Sequence, residues 1–177
     1  LQGTAIPTVT AAASKCVATW TTWSDLGSTD AGITYTESTE TADIPVAESL
    51  YPVRVVSTSK SSRVSGVANE VSDVNWQLMM NGGTLVVTGA TTTKLSEYAP
   101  PLVGAERRVM LGFQSNGDDE ILIWPACFNV GSVEYVRGTY ETKAGLGFEF
   151  NAELPSGIAG FVTPYKRWTA GPLALGT

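Results

Sequence analysis

Residues 106–154 are written almost wholly in period two. Val109, Leu111 and Phe113 alternate with Arg108, Met110 and Gly112; Val133, Tyr135 and Arg137 alternate with Glu134 and Val136. Leu146, Phe148, Phe150, Ala152 and Leu154 alternate with Gly147, Glu149, Asn151 and Glu153. Successive strand side chains point to opposite faces, so each segment offers one face to a core and leaves a second. That second face is acidic on 146–154 and mixed on 131–140. On 121–124 both faces are apolar, which predicts that another protein covers the outer face of the sheet.

The same reading predicts earlier strands at 16–23, 33–36, 53–58, 62–68, 84–88 and 92–97, and a last one within 161–168 weakened by Pro164. A polar turn at Ser59-Lys-Ser61 separates the third and fourth. One helix is expected: Val71, Val74 and Leu78 recur at helical spacing, Ser72 or Asp73 can cap the start, and Asn81-Gly-Gly83 supplies a left-handed stop. It has only about two turns, so it must dock on a sheet to form. Asn-Gly within Ser115-Asn-Gly-Asp118 predicts a hairpin turn, as does Lys143-Ala-Gly145. Residues 99–104 read as a linker loop.

Residues 37–52 break the pattern. They carry Glu37, Glu40, Asp43 and Glu48, and read as a long acidic loop. Such loops are uncommon in compact domains unless they bind something. Ile44, Val46, Leu50 and Tyr51 are apolar groups that a solvated loop has no reason to keep, so with Asp43 they are the candidate partner contact. The expected fold class is mainly β: a β-sandwich or barrel-like domain over 16–169 with one short flanking helix and a long inter-strand loop. An extended N-terminal arm (1–15) and a loose C-terminal tail (170–177) flank it.

Composition narrows the chemistry. A length of 177 residues suits one sizeable core. The net charge is −6, and the basic residues are scattered and outnumbered, which argues against gripping DNA or RNA. The chain has no histidine, which removes Ser-His-Asp and Cys-His catalysis and His-ligated zinc. Cys16 and Cys127 sit far apart on apolar stretches and read as buried free thiols. No stretch approaches the roughly 20 apolar residues of a membrane span.

The remaining motifs have structural readings. Asn116-Gly-Asp-Asp-Glu120 has the oxygen density of a calcium loop but not its spaced ligand series, and a tight turn is needed there. Glu149 and Glu153 lie about 13 Å apart at strand rise, too far for a retaining glycosidase pair. Gly145-Leu-Gly147 lacks the third glycine and the helix of a dinucleotide site. Trp20, Trp23, Trp76, Trp124 and Trp168 could form a sugar-stacking platform, which makes a carbohydrate-binding module the rival from another class. No catalytic residue, metal or cofactor is expected.

The order of features resembles the major tail tube proteins of long-tailed bacteriophages. The residues that carry it are Asp25-Leu-Gly-Ser-Thr-Asp-Ala-Gly-Ile33, Ile44-Pro-Val-Ala-Glu-Ser-Leu-Tyr-Pro-Val-Arg54, Asn81-Gly-Gly-Thr84, and Arg108-Val-Met-Leu-Gly-Phe113 leading into Ile123-Trp-Pro125. The resemblance implies a structural virion protein, assembled in the host cytoplasm, whose hexameric rings stack into the tail tube. DNA leaves the capsid through that tube without specific binding. The implied partners are further copies of the chain, a tape measure protein, a tail terminator and baseplate proteins, with no membrane insertion by this chain. Under this reading Asp43, Ile44, Val46, Leu50 and Tyr51 contact the next ring. Glu134, Glu141, Glu149 and Glu153 are candidates for an acidic lumen. A head decoration or baseplate subunit is the alternative within the same class.

Overall fold

The computed structural model describes residues 2–3, 5–12, 15–44, 54–90, 93–136, 145–158 and 160–170. Their strands are β1 (Gln2–Gly3), β2 (Val9–Ala12), β3 (Lys15–Ala18), β4 (Trp23–Ser24), β5 (Thr29–Ile44), β6 (Arg54–Ala68), β7 (Thr84–Thr88), β8 (Leu95–Ala99), β9 (Val109–Gln114), β10 (Glu120–Asn129), β11 (Tyr135–Val136), β12 (Gly145–Ala152) and β13 (Lys166–Thr169). One helix, α1 (Asp73–Met79), lies between β6 and β7. The fold is mainly β, as the alternation predicts, and every strand pairing is antiparallel.

The main sheet runs β4-β1-β9-β10-β12-β6-β5, with β13 beside β10 and β11 beside β12. β10 is the pivot. Its first half, Glu120 to Ile123, pairs with β13, and its last residues, Cys127 to Asn129, pair with β12. The register against β9 slips between Trp124 and Cys127. Pro125 lies in that slip, where a residue without an N–H costs the ladder nothing.

Two apolar cores lie on the two faces of β9 and β10. Leu111, Leu122, Trp124 and Val109 join Val64, Leu78, Met79, Leu146 and Phe150 in one. Met110, Ile121 and Ile123 join Cys16 and Phe161 in the other. The alternation at 121–124 is therefore read correctly, but its consequence is not. The outer face is covered by this chain's own ends, with Ile6, Val9, Ala18, Trp20, Trp23 and Trp168 packed over it.

That corrects the free N-terminal arm. Gln2 and Gly3 add a strand between β4 and β9, and β2 forms a hairpin with β3. Trp23 stacks edge-on against Trp20 at 4.9 Å. Both rings press on Gly112, where an added Cβ would meet them at 2.8 and 2.9 Å. Each indole N–H finds an acceptor: Trp20 donates to Gln114 at 2.6 Å and Trp23 to the Ala5 carbonyl at 2.8 Å. The expected strand over 16–23 is interrupted because the chain turns at Trp20, whose carbonyl accepts the Trp23 N–H.

The helix forms as its sequence directs. Ser72 is the N-cap, its hydroxyl accepting the Asn75 N–H at 3.2 Å. At the other end Asn81 takes a φ of 57°, Gly82 N–H bonds the Gln77 carbonyl, and Asn81 N–H bonds the Leu78 carbonyl. This is a Schellman stop with asparagine in the left-handed position. The β9–β10 turn is longer than an Asn-Gly pair: Ser115 N–H bonds the Glu120 carbonyl, and Asp118 holds the positive φ, 55°. Side chains set this choice, because Asp118 accepts from Gln114 at 2.8 Å and pairs with Lys15 at 3.4 Å. Asp119 accepts from Ser115, which holds its carboxyl below the usual range. These bonds fasten the turn.

Candidate assembly surface

β5 and β6 are 16 and 15 residues long and pair from Thr29 opposite Ala68 out to Ile44 opposite Arg54. Their inner halves belong to the body of the domain. Ile33 and Tyr35 pack on the first core, Val64 and Ala68 lie within it, and β12 pairs with β6 from Ala68 to Arg63. Beyond this root the hairpin leaves its support. Residues 36–44 are all exposed, and so are 54–60 apart from half-buried Val56. At strand rise the free part extends about 30 Å.

Half of the expected acidic loop is thus strand, and the supposed turn at Ser59-Lys-Ser61 is the middle of β6. The arm is held by polar groups on its own surface. Ser38 and Ser61 share a hydroxyl hydrogen bond at 2.7 Å, and Ser59 donates to Glu40 at 2.8 Å. At the root, Tyr35 and Tyr165 both donate to Glu37 at 3.1 Å, with their rings 5.1 Å apart. Burial, and then the bond with Tyr165, push the Tyr35 phenol well above its ordinary pKa. An isolated two-stranded hairpin is marginal in water. This one has no core beyond its root and leaves the outer edge of β5 unpaired among the described residues.

Of the candidate contact residues, Asp43 and Ile44 lie at the far end of the described arm, both exposed, Ile44 at 46%. Val55, the register partner of Asp43, is 56% exposed. Val46, Leu50 and Tyr51 lie outside the described residues.

The candidate lumen residues divide. Glu149 takes Arg63 at 2.6 Å from the neighbouring strand β6, and Glu153 takes Arg108 at 2.9 and 3.2 Å in a forked pair. That fork, foremost through its hydrogen bonds, raises the Arg108 pKa. Glu134 is exposed and without an ion pair among the described residues, and Glu141 lies outside them. The face of β12 that reads as acidic is therefore charge-balanced within the chain. Arg63 and Arg108 come from distant segments, so no local signal shows it. Acid without an ion pair among the described residues lies instead along β5, at Glu37, Glu40 and Asp43.

Of the stretch expected as a linker loop, 99–104, Ala99 ends β8 and residues 100–104 follow it. They form a tight turn with Leu102 81% and Val103 99% exposed. The signal was present: two adjacent large apolar residues inside a Pro- and Gly-rich loop.

The five tryptophans do not share a platform. Trp124 is fully buried, Trp20, Trp23 and Trp168 pack in the second core, and Trp76 packs edge-on against Tyr135. No group of three His, Cys, Asp or Glu among the described residues is placed to hold a metal ion. No described helix is long and apolar enough to cross a membrane. No family model matches the chain, and no curated protein matches it.

Proposed function

We propose that this chain is a structural subunit that polymerises, and that the polymer is the tail tube of a long-tailed bacteriophage: rings of identical copies, six to a ring, stacked into a conduit for DNA. The observation that carries the reading is the β5–β6 arm. Its described part projects about 30 Å beyond its own core, is exposed on both faces, and carries exposed Ile44 and Val55 near its far end. A ribbon of that length gains its stabilisation when another copy receives it. Using the same heterologous contact repeatedly closes a ring or propagates a filament. The edge of β5, unpaired among the described residues, supports the same reading, since long unpaired edges are hazards that assembly consumes. The dispersal of the tryptophans into the two cores weighs against a carbohydrate-binding module.

Electron microscopy of the concentrated, purified protein tests the reading. Rings and tubes are expected. Particles that remain single subunits at high concentration by light scattering and by microscopy would overturn it. Removing residues 40–48 should abolish stacking while a cooperative melt persists, because the described residues of the arm beyond Glu37 join neither core.

A further inference from the structure

The sequence holds two Asn-Gly pairs, Asn81-Gly82 and Asn116-Gly117. Such a pair is open to spontaneous loss of ammonia, because the glycine amide lies within reach of the carboxamide carbon and has no side chain to shield it. The structure treats the two differently. Asn81 is 8% exposed, and its carboxamide is engaged at both ends, accepting the Asn129 N–H at 2.7 Å and donating to the Asn129 carbonyl at 2.8 Å. The Gly82 N–H bonds the Gln77 carbonyl at 2.8 Å, so both reacting groups are held. Asn116 and Gly117, by contrast, are exposed in the β9–β10 turn. Among the described residues neither the Asn116 carboxamide nor the Gly117 N–H makes a hydrogen bond.

That turn is also where distant parts of the chain are fastened. The Asp118 carbonyl accepts the Cys16 N–H at 2.6 Å, and its carboxylate takes Lys15 at 3.4 Å and Gln114 at 2.8 Å. The Asp119 carbonyl accepts the Ala170 N–H at 2.8 Å and the Cys16 thiol at 3.7 Å. β3 and the end of β13 thus both hang on residues 118–119. We infer that Asn116 is a site of spontaneous modification whose products loosen this turn's hold on β3. The Gly117 nitrogen forms a bond to the Asn116 side-chain carbonyl carbon, the carbon–nitrogen bond of the carboxamide breaks, and the amide proton leaves with the ammonia. Water then opens the five-membered imide. Opening at the side-chain carbonyl gives aspartate. Opening at the backbone carbonyl gives isoaspartate, in which the main chain runs through the former side chain and gains one atom. Either product adds a negative charge close to Asp118, Asp119 and Glu120, where like charges repel. The lengthened main chain also disturbs the bond from the Asp118 N–H to the Ser115 carbonyl, 3.0 Å, that closes the turn.

The test incubates the purified chain at mildly alkaline pH, folded and in urea, and follows both asparagines by peptide mapping. In the folded chain Asn116 should convert at least ~10-fold faster than Asn81, and in urea the two rates should converge, since Asn81 is protected by structure that must open first. Equal rates in the folded chain, or no conversion at Asn116, would overturn the site. Cys16 reports the consequence, because its N–H and its thiol both bond the turn, while Cys127 lies in the other core. Labelling of the Cys16 thiol should rise at least ~10-fold in the converted chain while Cys127 stays protected. Asn116→Gln, aged in parallel, should keep both thiols protected, since its longer carboxamide would have to close a six-membered ring. Position 116 is exposed, so this substitution leaves the fold intact. Unchanged Cys16 labelling after full conversion, or exposure of both cysteines together, would show that the turn does not govern β3.

Discussion

The carboxamide of Asn81 pairs with both backbone groups of Asn129, accepting its N–H at 2.7 Å and donating to its carbonyl at 2.8 Å. Asn129 returns the link by donating to the Met79 carbonyl at 2.6 Å. Both residues are buried, at 8% and 5% exposure, so the end of α1 is laced to the end of β10 by bonds that water cannot replace. Asn129→Ala should lower the free energy of unfolding by roughly 2–4 kcal/mol in urea melts, since it leaves buried backbone groups unpaired. A loss under ~0.5 kcal/mol would show that the network is idle.

The N-terminal segment belongs to the second core, and this has a direct consequence. Removing residues 2–12 uncovers Met110, Ile121 and Ile123 by withdrawing Ile6 and Val9. The expected cost is on the order of 2–5 kcal/mol, together with binding of a hydrophobic dye to the folded protein. A segment that merely trailed in solvent would give neither.

Cys16 and Cys127 are both free and buried. Burial, and then the Glu153 charge, push the Cys127 thiol up to about 12 from 9.0. The folded state therefore holds a proton that the unfolded state gives up first. The stabilisation is complete below pH 9.0 and is lost as pH climbs towards 12, at up to ~1.4 kcal/mol per pH unit. Tyr35 and Tyr98, raised mainly by burial, act in the same direction. Thiol titration should find both cysteines unreactive at neutral pH and two free thiols after denaturation without reductant. Cys127→Ala should shallow the alkaline fall in stability.

The outer arm should be separable from the fold. Ile44→Ser and Val55→Ser replace exposed side chains, so each is expected to change monomer stability by less than ~0.5 kcal/mol while reducing polymerisation. Chemical denaturation and turbidity or sedimentation read the two effects independently. A variant that unfolds would place these residues in the subunit's own core.

The sequence by itself determined what local forces decide. The helix between Ser72 and Asn81 follows from a cap, an apolar spacing and a left-handed stop that act within one turn of chain. The strands around Leu111, Ile123 and Phe150 follow from alternation, because a half-buried strand writes its two faces into its residues. The outer arm was illegible for the converse reason. Thr-, Ser- and Glu-rich residues exposed on both faces show no alternation, so strand could not be told from loop until Thr36 was found opposite Arg63 and Ile44 opposite Arg54.

Tertiary structure alone decided which surfaces are free. Ile121 and Ile123 required a cover, but that it comes from Cys16 and Trp20, about a hundred residues away, depends on packing that no local window contains. Likewise Glu149 and Glu153 lost their unbalanced charge to Arg63 and Arg108 only when β6 and the start of β9 came alongside. Burial and charge balance are properties of neighbours in space, and strand pairing over long separations chooses those neighbours.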